Sequence, residues 1–159
     1  MNTRSEINLI DVTLTTVAAA IADNEVISQA IEIPYAVAEK GGSSLIQSIV
    51  LNSDDTETPA IDLVFTQVNT AIADAASEAV GNSVGDLDSA GASVLGHVSL
   101  TNYTNMVDFV TATKMNVGLV VSSAITTTSI FVHAINRSGG NFTPTATDDL
   151  HLRIGLIRS

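Results

Sequence analysis

The residues able to do chemistry are few, and their spacing assembles no recognised catalytic set. The chain has three histidines, His97, His133 and His151, far apart in sequence. A zinc site would need them to converge with help from Asp or Glu. Each reads more simply as a strand residue whose ring nitrogens are satisfied by neighbours. Asp86-Leu87-Asp88-Ser89-Ala90-Gly91 superficially suggests a calcium loop, with glycine at the sixth position. An EF-hand loop needs glutamate at its twelfth position, where this chain has His97. An N-cap leading into a short helix accounts for the same residues.

Asp54, Asp55 and Glu57 form an acidic cluster, and Asp148-Asp149 a smaller one. Paired carboxylates can serve as acid and base in glycoside hydrolysis. Sugar-cleaving clefts are usually lined with aromatic rings, and this chain has no tryptophan and two tyrosines, Tyr35 and Tyr103. The acidic clusters therefore read as solvated loop charges, with weak divalent-cation binding as the alternative. No serine lies in a nucleophile elbow. Gly41-Gly42 and Gly139-Gly140 lack the lysine or helix that a phosphate-cradling motif requires. The expectation is a protein that is not an enzyme and has no catalytic, cofactor-binding or metal-binding residues.

Composition supports that expectation. The chain has 159 residues, enough for one domain with a real core, and no cysteine. Hydrophobic residues make up 45% and aromatic ones 4%, so the core must be built from aliphatic side chains. Six Lys and Arg against seventeen Asp and Glu give a net charge of −11. So few basic residues make no phosphate-binding patch, and neither nucleic acid nor an anionic membrane is an expected partner. Acidity on this scale favours solubility and keeps free molecules apart. Arg4, Glu6 and Asp11 interrupt the N-terminal region, which does not read as a secretory signal, and a cytoplasmic product is expected.

The elements that must position these residues are strands. Leu150, Leu152, Ile154 and Leu156 alternate with His151, Arg153 and Gly155, the pattern of a half-buried strand. Ser129–Asn136 carries bulky groups on both faces and reads as a strand covered on both sides. Leu45–Leu51 and Ile61–Phe65 flank a polar connector ending in Pro59. Further strand candidates are Ile7–Thr16, Val26–Ile33, Val98–Leu100, Met106–Thr111 and Val117–Ser122. Alternation slips between Leu9 and Ile10, which suggests a bulge or a change of partner. Helix is expected at Asp86–Gly96, with Gly96 as its stop, and Thr70–Val80 reads equally as a helical turn or a loop. Short strands at this spacing imply an all-β fold, a two-sheet β-sandwich or closed barrel with one or two short helices. Residues 1–11 read as a flexible N-terminal arm and 12–159 as a single β-sandwich domain, with Arg137–Asp149 a long internal loop.

Several of these runs carry a resemblance. Leu45–Leu51, Asp62–Phe65, Leu95–Val98, Thr113–Leu119, Ser129–Arg137 and Leu150–Leu156, with Gly96, Lys114, Gly118 and Arg137 among them, resemble small tailed-bacteriophage virion proteins encoded near the major capsid protein. The resemblance covers most of the chain from Leu45 onward. It implies a head decoration, or cement, protein: a jelly-roll β-sandwich that docks as a homotrimer on the outer capsid surface. The major capsid protein would be its partner and the virion its location. The two-faced run Ser129–Asn136 independently suggests a surface covered by another copy. The N-terminal arm is the expected capsid contact, through Arg4, Glu6 and Asp11. The alternative is a tail or baseplate module recognising a host-surface glycan, a role that would ordinarily use aromatic rings this chain mostly lacks.

Overall fold

The computed structural model describes residues 6–72, 81 and 93–158. Nine strands run in chain order: β1 (Glu6–Leu14), β2 (Val26–Ile33), β3 (Ser43–Ser53), β4 (Ile61–Thr66), β5 (Val94–Leu100), β6 (Tyr103–Asn105), β7 (Val110–Ser122), β8 (Ile130–Asn136) and β9 (Leu150–Arg158). They form a five-stranded sheet in the order β1-β9-β3-β7-β6 and a four-stranded sheet in the order β2-β8-β4-β5. Every pairing is antiparallel. With the three-residue β6 set aside, the remaining eight strands have the two-sheet order of a jelly roll. The fold is the expected all-β, two-sheet sandwich.

Aliphatic side chains from both inner faces meet in one core. Leu150, Leu152, Ile154 and Leu156 of β9 face Leu63 and Phe65 of β4 and Val132 of β8 within a single buried cluster. In β3 one residue, Gln47, is inserted between Ile46 and Ser48, and the pairing with both β7 and β9 shifts there. The insertion resets the alternation, so Ile46 and Ile49 both point inward despite their odd spacing. Opposite it, β7 bulges at Asn116–Gly118, where Asn116 and Gly118 take positive φ of 57° and 72°.

Four expectations need correction. Residues 6–11, expected as part of an arm, are strand: β1 pairs with β9 from Glu6↔Arg158 to Leu14↔Leu150. The ladder is unbroken, so the slip at Leu9 and Ile10 is not a bulge. Ile10 and Leu14 face the core, while Ile7 and Leu9 are apolar residues on the outer face, 80% and 62% exposed. Residues 1–5, Arg4 included, lie outside the described residues.

The second correction concerns Val94–Gly96, which belong to β5 and not to a helix. Leu95 is the extra residue of a bulge, and Gly96 pairs with Phe65 at φ +151°, within a strand where a helix stop was expected. The rest of the two helix candidates falls on residues 73–80 and 86–92, outside those described, apart from Thr70–Ile72 and Ser93. No α-helix occurs among the described residues. Third, Met106–Phe109 is the turn joining β6 to β7, not strand. The Met106 amide donates to the Phe109 carbonyl, and Asn105 Oδ1 accepts from the Val107 amide at 2.7 Å. That side-chain bond stabilises the positive φ of 82° at Val107.

Last, the two-faced apolar pattern of β8 is accounted for within the chain. Ile135 packs with Val26, Val64 and Ile72 on the outer side of the four-stranded sheet, Ile72 coming from the β4–β5 connection. Gly81 of the same connection donates its amide to the Val26 carbonyl at 2.9 Å. The strand's second face therefore supplies no ground for a further copy of the chain.

Candidate interaction surface

The outer face of the five-stranded sheet gathers the features that could engage a partner. Register places its outward residues in rows running across β1, β9, β3 and β7. One row is Ile7, Ile157, Leu45 and Val120; the next is Leu9, Gly155, Ser48 and Met115. Then come Asp11, Arg153, Val50 and Thr113, followed by Thr13, His151, Asn52 and Thr111. The first two rows are mostly apolar and the last two mostly polar.

The polar half forms a shallow depression of about 300 Å³ lined by Asp11, Thr13, Val50, Asn52, His151 and Arg153, among others. Arg153 straddles Asp11 with two bonds, Nε at 2.6 Å and Nη2 at 3.1 Å. That hydrogen bond is the main reason the Asp11 carboxyl is held below its usual value. His151 sits between Thr13 Oγ1 and Asp54 Oδ2, each 3.4 Å away. The order carboxylate, imidazole, hydroxyl is that of a proton relay, but both contacts exceed the reach of about 2.6–3.2 Å that proton transfer uses. All three groups are exposed to water.

Of the three residues expected to meet a capsid, Glu6 and Asp11 are described, and both are engaged within the chain. Glu6 Oε2 accepts from Arg158 Nη2 at 3.1 Å, and Asp11 from Arg153. They hold the edge strand β1 to β9 by two exposed ion pairs, each worth little in water.

The histidines are not brought together. His133 and His97 flank Val64 on adjacent strands of the four-stranded sheet, about 10 Å apart at the backbone by strand spacing. His151 lies on the other sheet. No group of three or more His, Asp or Glu side chains among the described residues is placed to hold a metal ion. The acidic loop residues are instead partners of amides. Asp55 accepts from the Thr145 amide and hydroxyl at 3.0 and 2.9 Å, and Glu57 from the Thr143 amide at 3.0 Å. Asp149 accepts from the Ala146 amide at 2.6 Å. Burial would raise the Asp149 carboxyl, but the Ala146 and Thr145 hydrogen bonds outweigh it and hold it low. Together these carboxylates tie the β3–β4 loop to the β8–β9 loop.

Tyr35 is exposed in the turn after β2, whereas Tyr103 packs against the core. The two rings form no stacking platform for a sugar. The Tyr103 hydroxyl is buried without a hydrogen-bond partner, and burial raises its pKa. Among the described residues no helix is long and apolar enough to cross a membrane. Neither a protein-family model nor a curated protein sequence matches the chain.

Sequence reasoning missed the apolar half of this face. Ile7, Leu9, Leu45, Met115, Val120 and Ile157 come from four strands spread along the chain. Only the β3 insertion and the β7 bulge bring Leu45 beside Val120 and Ser48 beside Met115. Leu9 beside Ile10 is a local signal of an outward apolar residue, as are Leu45 beside Ile46, Val120 beside Val121 and Leu156 beside Ile157.

Proposed function

We propose that this chain is a structural virion protein that binds the outer surface of a tailed-bacteriophage head and decorates or stabilises it, without enzymatic activity. The observation that carries the reading is the jelly-roll strand order, an architecture common among virion proteins. The segments that resemble phage decoration proteins all fall on strands or their immediate ends: β3, β4, β5, β7, β8 and β9. Fold alone does not assign function, and the resemblance supplies the rest.

The partner under this reading is the major capsid protein, the working form a homotrimer, and the location the outside of the virion. A protein present in many copies gains affinity from multivalent attachment even when each contact is weak. Its net charge of −11 keeps unassembled molecules apart.

The test is co-sedimentation of the purified protein with heads that lack it, followed by the heat resistance of the recovered particles. Saturable binding and a raised disruption temperature are expected. A protein that stays in the supernatant with intact heads, yet binds purified tails, would overturn the reading in favour of a tail module.

A further inference from the structure

We infer that the apolar half of the five-stranded sheet's outer face is the surface on which a second copy of this chain docks. The inference deepens the homo-oligomer part of the proposed function by naming the surface used, and it needs no capsid. It rests on three independent observations.

The first is area. Ile7, Leu9, Met115 and Val120 are 80%, 62%, 61% and 65% exposed, and they lie in two adjacent rows. With half-buried Leu45 and Ile157 between them, they expose on the order of 500 Å² of contiguous apolar surface, near the upper end for a monomer. A stable interface takes about 800 Å² from each partner, so this patch supplies more than half, and its polar border the rest. Gly155 lies in the second row and is itself buried, with Ser48 Oγ and Leu9 Cδ2 closing over the position a side chain would take.

The second observation is charge. The molecule carries −11, and two copies approaching on most surfaces repel each other. Along the outward rows the charged residues are Asp11 and Arg153, which neutralise each other, and at the border Glu6 and Arg158 do the same. The two apolar rows themselves carry no charged residue in an acidic protein, so two copies can meet there without juxtaposing like charges.

The third is the state of the sheet edges. β2 carries two register shifts, β5 carries a bulge at Leu95, and β6 has three residues. Each is a recognised way of blunting an edge. β1 is the fourth edge: nine residues, unbulged, without proline or lysine, with Ile7 and Leu9 on its outer side. A copy seated on the two apolar rows would cover that border as well.

The test is light scattering on the full chain, at micromolar concentration and above, for three variants beside the wild type. Wild type is expected at a multiple of the 16.5 kDa chain mass. Ile7→Lys/Leu9→Lys and, on the far side of the same rows, Met115→Lys/Val120→Lys are each expected to shift the mass to that of one chain, with an unchanged β-type circular dichroism spectrum. Val107→Lys, which removes an exposed apolar side chain at the β6–β7 turn, is expected to leave the mass unchanged. Two double variants on different strands guard against either one failing to fold. A monomeric wild type overturns the inference and the homo-oligomer reading with it, while head binding is judged separately by co-sedimentation. An oligomer that survives both double substitutions overturns only the surface assigned here. A monomeric wild type whose head binding is abolished by Ile7→Lys/Leu9→Lys gives the face to the capsid and equally overturns the inference.

Discussion

Acidification should destabilise this protein well above the range in which carboxylates titrate, and His133 is the cause. Its ring is fully buried on the outer side of β8. The Thr66 hydroxyl donates its one proton to the Val68 carbonyl at 2.9 Å. The His133 Nε2, 3.2 Å from Thr66 Oγ1, must therefore be the donor in that contact. Nδ1 is left as a bare lone pair with no partner. Protonating it would put a charge and an unpartnered N–H into the interior, and burial accordingly lowers the pKa from 6.5 to about 4. The unfolded chain takes up this proton near pH 6.5 and the folded chain only near pH 4. Stability is thus fully present above the unfolded value, is lost as pH falls through this window, and changes no further from this group below it. The full gap corresponds to about 3 kcal/mol, and about 2 kcal/mol of it should be gone between pH 7 and pH 4.5. Urea unfolding at those two pH values, at one fixed protein concentration, measures the difference; the concentration is fixed so that the proposed self-association contributes equally to both. His133→Gln should be less stable at pH 7 and should unfold at nearly the same urea concentration at both pH values. An equal stability for wild type at the two pH values, or the same loss in His133→Gln, would refute the assignment.

Two further substitutions probe the scaffold. At Gly96 an added Cβ would lie 2.7 Å from Leu119 Cδ1, at a φ of +151° that side chains rarely adopt. Gly96→Ala should therefore cost about 1–3 kcal/mol in thermal or urea unfolding. Buried Asn136 donates to the Ile21 and Gly140 carbonyls, both at 2.9 Å, and accepts from the Ser138 amide and hydroxyl. Asn136→Ala should cost about 2–3 kcal/mol and speed proteolytic cleavage within residues 137–149, because that loop loses its anchor.

Where one face met the core and the other met water, the strands were legible from residue spacing alone. β9 is the clearest: Leu150, Leu152, Ile154 and Leu156 point inward as the alternation requires. Legibility failed where apolar residues have another task. Met106, Val107 and Phe109 looked like strand because they are apolar, yet an Asn105 side-chain bond turns the chain there. Gly96 looked like a helix stop because glycine serves both purposes, and only its pairing with Phe65 decides for the strand. The second face of β8 looked like an interface because Ile72, which packs against Ile135 there, lies outside any strand signature. The surface that does expose apolar residues draws them from β1, β3, β7 and β9. Its existence depends on two irregularities of register that no short window of sequence contains.

The proposed attachment to a capsid is tested most directly by electron cryomicroscopy of purified phage heads lacking this protein, compared before and after incubation with the purified chain. The predicted result is density on the outer surface of the head that accommodates the two-sheet sandwich after incubation and is missing before it. Identical head surfaces in the two reconstructions would contradict it.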